Sequence, residues 1–252
     1  MKKILSVAAL TLVLTGCTNH AEEKNESAVV TGKKSENKVM NFSQSLKNEG
    51  TIAFLIQDRE IKKEAQINAV IVNDKGKMKV YKTGLEDDKM LSLADVEQLS
   101  DRAIIKEAAR LDQEILEKSI RQAQQESKKY YSESGKSKYI YKDAQELKYT
   151  EPKLREIELK KQEEIGHPSY MTINAKPRDL KQVADDVRQG LMVYKIIDND
   201  DKGYTLTDES DIRVTGLKRY AGYKTEERES TKEAGMLIIK TDVKIDEVKT
   251  GL

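Results

Sequence analysis

Tryptophan is absent from this chain of 252 residues, and phenylalanine occurs twice against 11 tyrosines. A core must therefore rest on Ile, Leu and Val, with Tyr at its margins. One cysteine, Cys17, excludes an intramolecular disulfide, the usual staple of small secreted domains. Neither sign of charge dominates. There are 45 basic and 44 acidic residues, and without Lys2 and Lys3 the balance becomes 43 against 44. Such a balance gives no electrostatic case for nucleic-acid binding. Metalloprotease H-E-x-x-H, paired C-x-x-C, phosphate-loop, G-x-G-x-x-G and G-x-S-x-G patterns are all missing.

What is present begins at the N-terminus. Met1-Lys2-Lys3 is followed by the apolar run Ile4–Leu14, ILSVAALTLVL. That run is too short to span a bilayer, which needs about 20 residues. It fits the apolar region of a signal peptide, about 7–15 residues after a basic start. Leu14-Thr15-Gly16-Cys17 then resembles the lipobox of bacterial lipoproteins. The resemblance covers residues 1–17 only. It implies diacylglycerol on the Cys17 thiol and cleavage between Gly16 and Cys17, and leaves acylation of the freed amine open. The small residues at 15 and 16 let the backbone enter a protease site closely. Two or three acyl chains anchor firmly, whereas one is marginal. The Lys, Glu and Asn usage suggests a Gram-positive source. The resemblance then implies a membrane lipoprotein, palmitate or a similar acyl chain included, on the extracytoplasmic face.

Charged residues make up 35% and hydrophobic residues 37%, which predicts solvated helices and a disordered stretch. Residues 17–50 are rich in Asn, Lys, Glu and Ser and read as a tether that cannot offset its ordering entropy. Within it, 39–47 could form a short helix docked on the body. A single domain is expected over 51–252. TIAFLI (51–56) has strand length. Residues 67–83 read as a β-hairpin around Asn73-Asp74-Lys75-Gly76. Ser92 opens a short helix with Asp95 three residues on. From Asp101 to about Lys129, Ile104, Ala108, Leu111 and Ile115, flanked by Ile105, Ala109, Leu116, Ile120 and Ala123, trace a wide apolar helical face. Strands are predicted at 138–142, 154–159, 169–174, 191–197, 212–220 and 236–243, with 204–207 pairing back on 191–197. Residues 178–188 read as a helix ended by Gly190. The fold class is α+β, a mainly antiparallel sheet with hairpins packed on one long and one or two short helices.

Asp198-Asn199-Asp200-Asp201-Lys202-Gly203, with Glu209 eleven residues after Asp198, resembles an EF-hand calcium loop. Asp198, Asp200, the Tyr204 carbonyl and Glu209 would be its ligands. Lys202 and Thr205 depart from the pattern and the flanks read as strands, so a polar turn is the favoured reading. Tyr139 and Tyr141 interleave with Lys138 and Lys142, within a wider run from Tyr130 to Tyr149. Tyr with Lys suits a sugar or an anionic polymer, although a buried aromatic strand face would look the same. His20 falls in the tether and His167 in a loop, where a solvated role is expected. Catalysis by carboxylates alone remains open, with no pair singled out. The expected function is a non-enzymatic, membrane-anchored binding or interaction module without a cofactor. Its partners would be the membrane, through Cys17, and a cell-wall component or another surface protein, but not nucleic acid. Two alternatives are a cell-envelope hydrolase using carboxylates and a signal peptide that yields a peptide pheromone from LTLVLTG (10–16).

Overall fold

The chain enters its fold earlier than its composition predicts. The computed structural model describes residues 38–48, 50–56, 62–84, 90–133, 140–162, 170–213, 220–227, 233–241 and 245–249, and the compact unit runs from Asn37 to Leu252. The segment read as the end of a tether forms β1 (Val39–Asn41) and the short helix α1 (Phe42–Lys47). Averaged composition hid the reason. Phe42 and Leu46, four apart, share one helix face and are both fully buried. Asn41 caps the helix, its side-chain oxygen accepting from the Gln44 N–H at 3.0 Å. The docked helix expected at 39–47 is therefore present only over 42–47, with 39–41 a strand instead, and the compact unit starts at 37 where 51 was expected.

β2 (Ile52–Ile56) is buried at every position, which explains a continuous apolar run where an alternating one would mark a half-exposed strand. It pairs antiparallel with β3 (Gln66–Asp74). β3 turns back into β4 (Lys77–Lys82). Both turn residues, Lys75 (φ 51°) and Gly76 (φ 77°), have positive φ, as the tight hairpin turn requires. β5 (Leu91–Ser92) adds to β3 and leads into α2 (Leu93–Glu97). Ser92 and Asp95 close the predicted capping box. The long helix α3 covers Asp101–Glu133, about 50 Å at 1.5 Å per residue. Of its apolar face, Ile104, Ala108, Ile115, Leu116, Ile120 and Ala123 are buried.

Beyond α3 come β6 (Ile140–Tyr141), β7 (Arg155–Glu156), β8 (Leu159–Gln162) and β9 (Tyr170–Ile173). Next are β10 (Asp179–Asp186), β11 (Leu191–Ile197), β12 (Tyr204–Arg213) and β13 (Tyr220–Glu227). β14 (Glu233–Lys240) and β15 (Glu247–Lys249) complete the described chain. The main sheet runs β7-β4-β3-β2-β14-β13-β12-β9-β8 with β5 on the side of β3, antiparallel throughout. A smaller sheet runs β10-β11-β6, and β1 pairs parallel with β15. The fold is α+β and mainly antiparallel.

Both faces of the main sheet are covered. One buries Leu55, Ile71, Val80, Leu206, Tyr223 and Leu237 beneath Phe42, Leu46 and Val248. The other buries Phe54, Ile67, Val70 and Ile238 beneath Leu93, Val96, Ile104 and Ala108. Burying each such side chain fully contributes roughly 1.5–3 kcal/mol. The second half of α3 lies against the small sheet.

Two sequence expectations are corrected. Residues 178–188 are not helical: 179–186 form β10, and Gly190 (φ 65°) completes the turn into β11. Leu180, Val183, Ala184 and Val187 fit a helical spacing, but pairing along the length of β11 outweighs that weak preference. Nor does 204–207 pair back on 191–197. β11 joins β10 and β6, and β12 joins β9 and β13. The polar turn at 198–203 carries the chain from one sheet to the other. The strand expected over 212–220 is the end of β12 and the first residue of β13, with 214–219 outside the described residues.

Candidate functional site

The interleaved Tyr–Lys run converges where α3 meets the small sheet. β6 lies parallel to β11 with Ile140 opposite Leu191 and Tyr141 opposite Met192. Strand alternation turns Tyr141 and Ile140 to opposite faces. Tyr141 stacks on Tyr130 of α3, ring centroids 4.3 Å apart and planes at 26°. Tyr194, two residues after Met192, falls on the same face and donates its hydroxyl to Glu126 Oε2 at 2.9 Å. Burial, then the Glu126 carboxylate, then the neighbouring Tyr141 and Tyr130, push the Tyr194 hydroxyl up to about 12. Ser127, buried, ties the helix to the strand by donating to the Lys142 carbonyl at 2.8 Å.

Around this cluster the surface stays apolar and accessible. Tyr130 is 44% exposed and Tyr131 54%, so ring surface is left for a ligand. Lys142 and Lys195 flank Asp185, at 3.4 and 2.7 Å. Lys195 first, then Lys142, hold the Asp185 carboxyl below its usual range. These are surface pairs that contribute little to stability, and strand alternation puts them on the face opposite the Tyr141 and Tyr194 rings. Stacked, partly exposed phenols can lie against the apolar face of a sugar.

Of the predicted binding residues, Tyr141 and Lys142 meet at this place. Lys138 and Tyr139 lie outside the described residues, as do Gly16, Cys17, His20 and His167. Tyr149 does not join the cluster; it reaches Asp112 instead.

The calcium reading gains nothing from the geometry. Asp198 is taken by Lys153 at 2.7 Å. Tyr204 opens β12 between β9 and β13, where its backbone belongs to the ladder. Its flanks are strands β11 and β12, as the sequence pattern warned. Among the described residues no three His, Cys, Asp or Glu side chains gather to hold a metal; the side chain of Glu209 lies outside them. Asn199 is buried and donates to the Pro177 carbonyl at 2.6 Å, which suits a polar turn.

One polar centre escaped the sequence reading. Asp112 and Arg178 form an ion pair at 2.7 Å with side chains 2% and 4% exposed. Asp112 Oδ1 also accepts the Lys82 backbone N–H at 2.9 Å, and Oδ2 the Tyr149 hydroxyl at 3.2 Å. Arg178 lies over the Tyr149 ring, 5.1 Å from its centroid. The signal was Asp112 itself, which continues the buried stripe of Ile104 and Ala108 at helical spacing. A carboxylate on that stripe needs a cation. Cavities of about 110 and 70 Å³ flank Arg178. A wider groove of about 630 Å³ runs along the first half of α3, floored by Leu91, Leu99, Ala103 and Leu111.

The chain matches no protein-family model, no curated protein and no solved structure. Among the described residues, no helix is long and apolar enough to cross a membrane.

Proposed function

We propose that this protein is a lipid-anchored, extracytoplasmic binding module, held at the membrane through Cys17 and contacting a cell-wall glycan with its tyrosine face. The anchor rests on Lys2-Lys3, the apolar run and Leu14-Thr15-Gly16-Cys17. The binding half is carried by one observation: in the Tyr130–Tyr141 stack Tyr130 stands exposed, next to exposed Tyr131. Large apolar residues grouped on a surface mark contact sites more often than scattered ones do.

A carboxylate hydrolase is the rival. Two acids from distant segments, Asp112 and Asp179, do line one cavity. Each is committed to a cation, Asp112 to Arg178 and Asp179 to Lys82. This pairing supports a structural role, and the non-enzymatic reading is preferred.

Two experiments test the proposal. Cell fractionation with mass spectrometry of the N-terminal peptide compares wild type with Cys17→Ala. Wild type is expected in the membrane fraction with an acylated Cys17, and the variant is not; soluble, unmodified wild type would refute the anchor. Pull-down on purified cell walls then compares wild type with Tyr130→Ala/Tyr131→Ala. Retention is expected to fall at least tenfold, and equal retention would refute the tyrosine face.

A further inference from the structure

A second site lies where the crossover turn at 198–203 meets the segment before β7. A cavity of about 70 Å³ opens there, with Val80 as an apolar wall and Lys153, Arg155, Arg178, Asp198 and Asp200 among its lining. Two guanidinium groups line it, Arg178 held by both outer nitrogens and Arg155 by one. Arg178 is 5% exposed; its Nη1 donates to Thr150 Oγ1 at 3.2 Å and its Nη2 to Asp112 at 2.7 Å. Half-buried Arg155 donates from Nη2 to the Lys176 carbonyl at 2.7 Å. In both, Nε is buried with no acceptor. An unmet buried donor on a charged group is costly, so whatever fills the cavity should supply acceptors.

Pairing the charges shows what kind of occupant fits. Arg178 is neutralised by Asp112, and Lys153 by Asp198 at 2.7 Å. That leaves Arg155, which has no ion-pair partner among the described residues, and Asp200, exposed and likewise unpaired. Burial holds the Arg155 guanidinium below its ordinary pKa, the Asp200 and Asp198 charges pulling the other way. One positive and one negative group therefore remain on one cavity. A dianion such as phosphate would leave Asp200 facing like charge, whereas a zwitterion meets both charges at once.

We propose that this cavity binds a small free α-amino acid. Its carboxylate faces the Arg155 guanidinium, and its ammonium group faces Asp200. At about 15 Å³ per water-sized atom the space holds about five non-hydrogen atoms, the size of glycine or alanine. The Val80 wall leaves room for a methyl group and no charge.

Isothermal titration calorimetry on the detergent-solubilised full chain tests this, with glycine, L-alanine, D-alanine, acetate, methylammonium and inorganic phosphate as probes. Glycine or one alanine enantiomer is expected to bind, with acetate, methylammonium and phosphate each at least tenfold weaker. Arg155→Gln and Asp200→Asn are each expected to weaken that amino acid at least tenfold with the circular dichroism spectrum unchanged. Asp200 is exposed, so its variant keeps the test decisive even if Arg155→Gln fails to fold. Silence from every probe, acetate equal to the amino acid, or undiminished binding by Asp200→Asn would overturn the proposal.

Discussion

Asp112 shows how one residue can organise a fold's interior. It sits about a third of the way along α3 and ties α3 to β4 and to the residue before β10. Removing one partner of a buried ion pair strands the other charge and costs about 3–5 kcal/mol. Arg178→Met is therefore expected to lower the unfolding free energy by that amount in urea titrations. Arg178→Met combined with Asp112→Asn should recover part of it, and a double variant no better than the single one would refute the account. Two tyrosines carry a pH signature. Burial first, and the Asp112 charge next, push Tyr149 up to about 12, and Tyr194 also stands at about 12, against an ordinary 10.0. The fold thus favours their neutral forms. Their contribution is complete below pH 10 and is lost as the pH climbs toward 12. Urea unfolding should show stability falling over that window, less steeply in Tyr194→Phe; an identical slope would count against it. Asp112 was visible in the sequence as a polar intrusion on an apolar stripe. Its partner was not, because 66 residues separate the pair.

Elements with local signals were legible, and those defined by distant partners were not. The β3–β4 hairpin carries its turn residues with it, α3 its period, and α2 its capping box. Ser92→Ala should cost about 1 kcal/mol, read from the urea midpoint. β10 was misread because DLKQVADD has little strand character of its own and takes its form from β11. Close packing between strands was equally hidden. A Cβ on Gly222 in β13 would lie 2.0 Å from the Leu237 carbonyl oxygen and 2.6 Å from the Ile238 Cα of β14. Gly222→Ala is therefore expected to destabilise by at least about 2 kcal/mol, since backbone on both sides must shift. Gly76→Ala meets no atom within 4 Å and suffers only from its positive φ, about 1 kcal/mol. If the two variants melt alike, the packing argument for Gly222 fails.

At the scale of the whole molecule, the fold class was readable because one long helical period stands among many segments of strand length. The division into two sheets was not, since the turn at 198–203 looks the same in a hairpin and in a crossover. The start of the body was placed too late because a polar average outweighed Phe42 and Leu46. The candidate site was half legible. Tyr141 and Lys142 were named from sequence, whereas Tyr130 and Tyr194 became neighbours of Tyr141 only through packing. With the body starting at Asn37, limited trypsin digestion of the mature protein should cut first at or before Lys38, for instance at Lys33 or Lys34. It should leave a stable fragment reaching Leu252, detected by mass spectrometry. Early cuts within α3 would contradict that boundary.

β1 lies beside β15, Val39 opposite Glu247 and Asn41 opposite Lys249. The body's first and last strands therefore share one location, and this gives the particle a compass. The tether proposed to run from Cys17 joins at β1, so the last strand marks the same pole as the point of attachment. A fluorophore fused after Leu252 would report the end of the body where the proposed tether joins, while one placed at Tyr131 would report the end of α3. Quenching by a lipid-bound acceptor should consequently be stronger for the first than for the second. The same adjacency permits a circular permutant with its old ends joined by a short linker, in which the anchor can be moved to another pole without altering the fold.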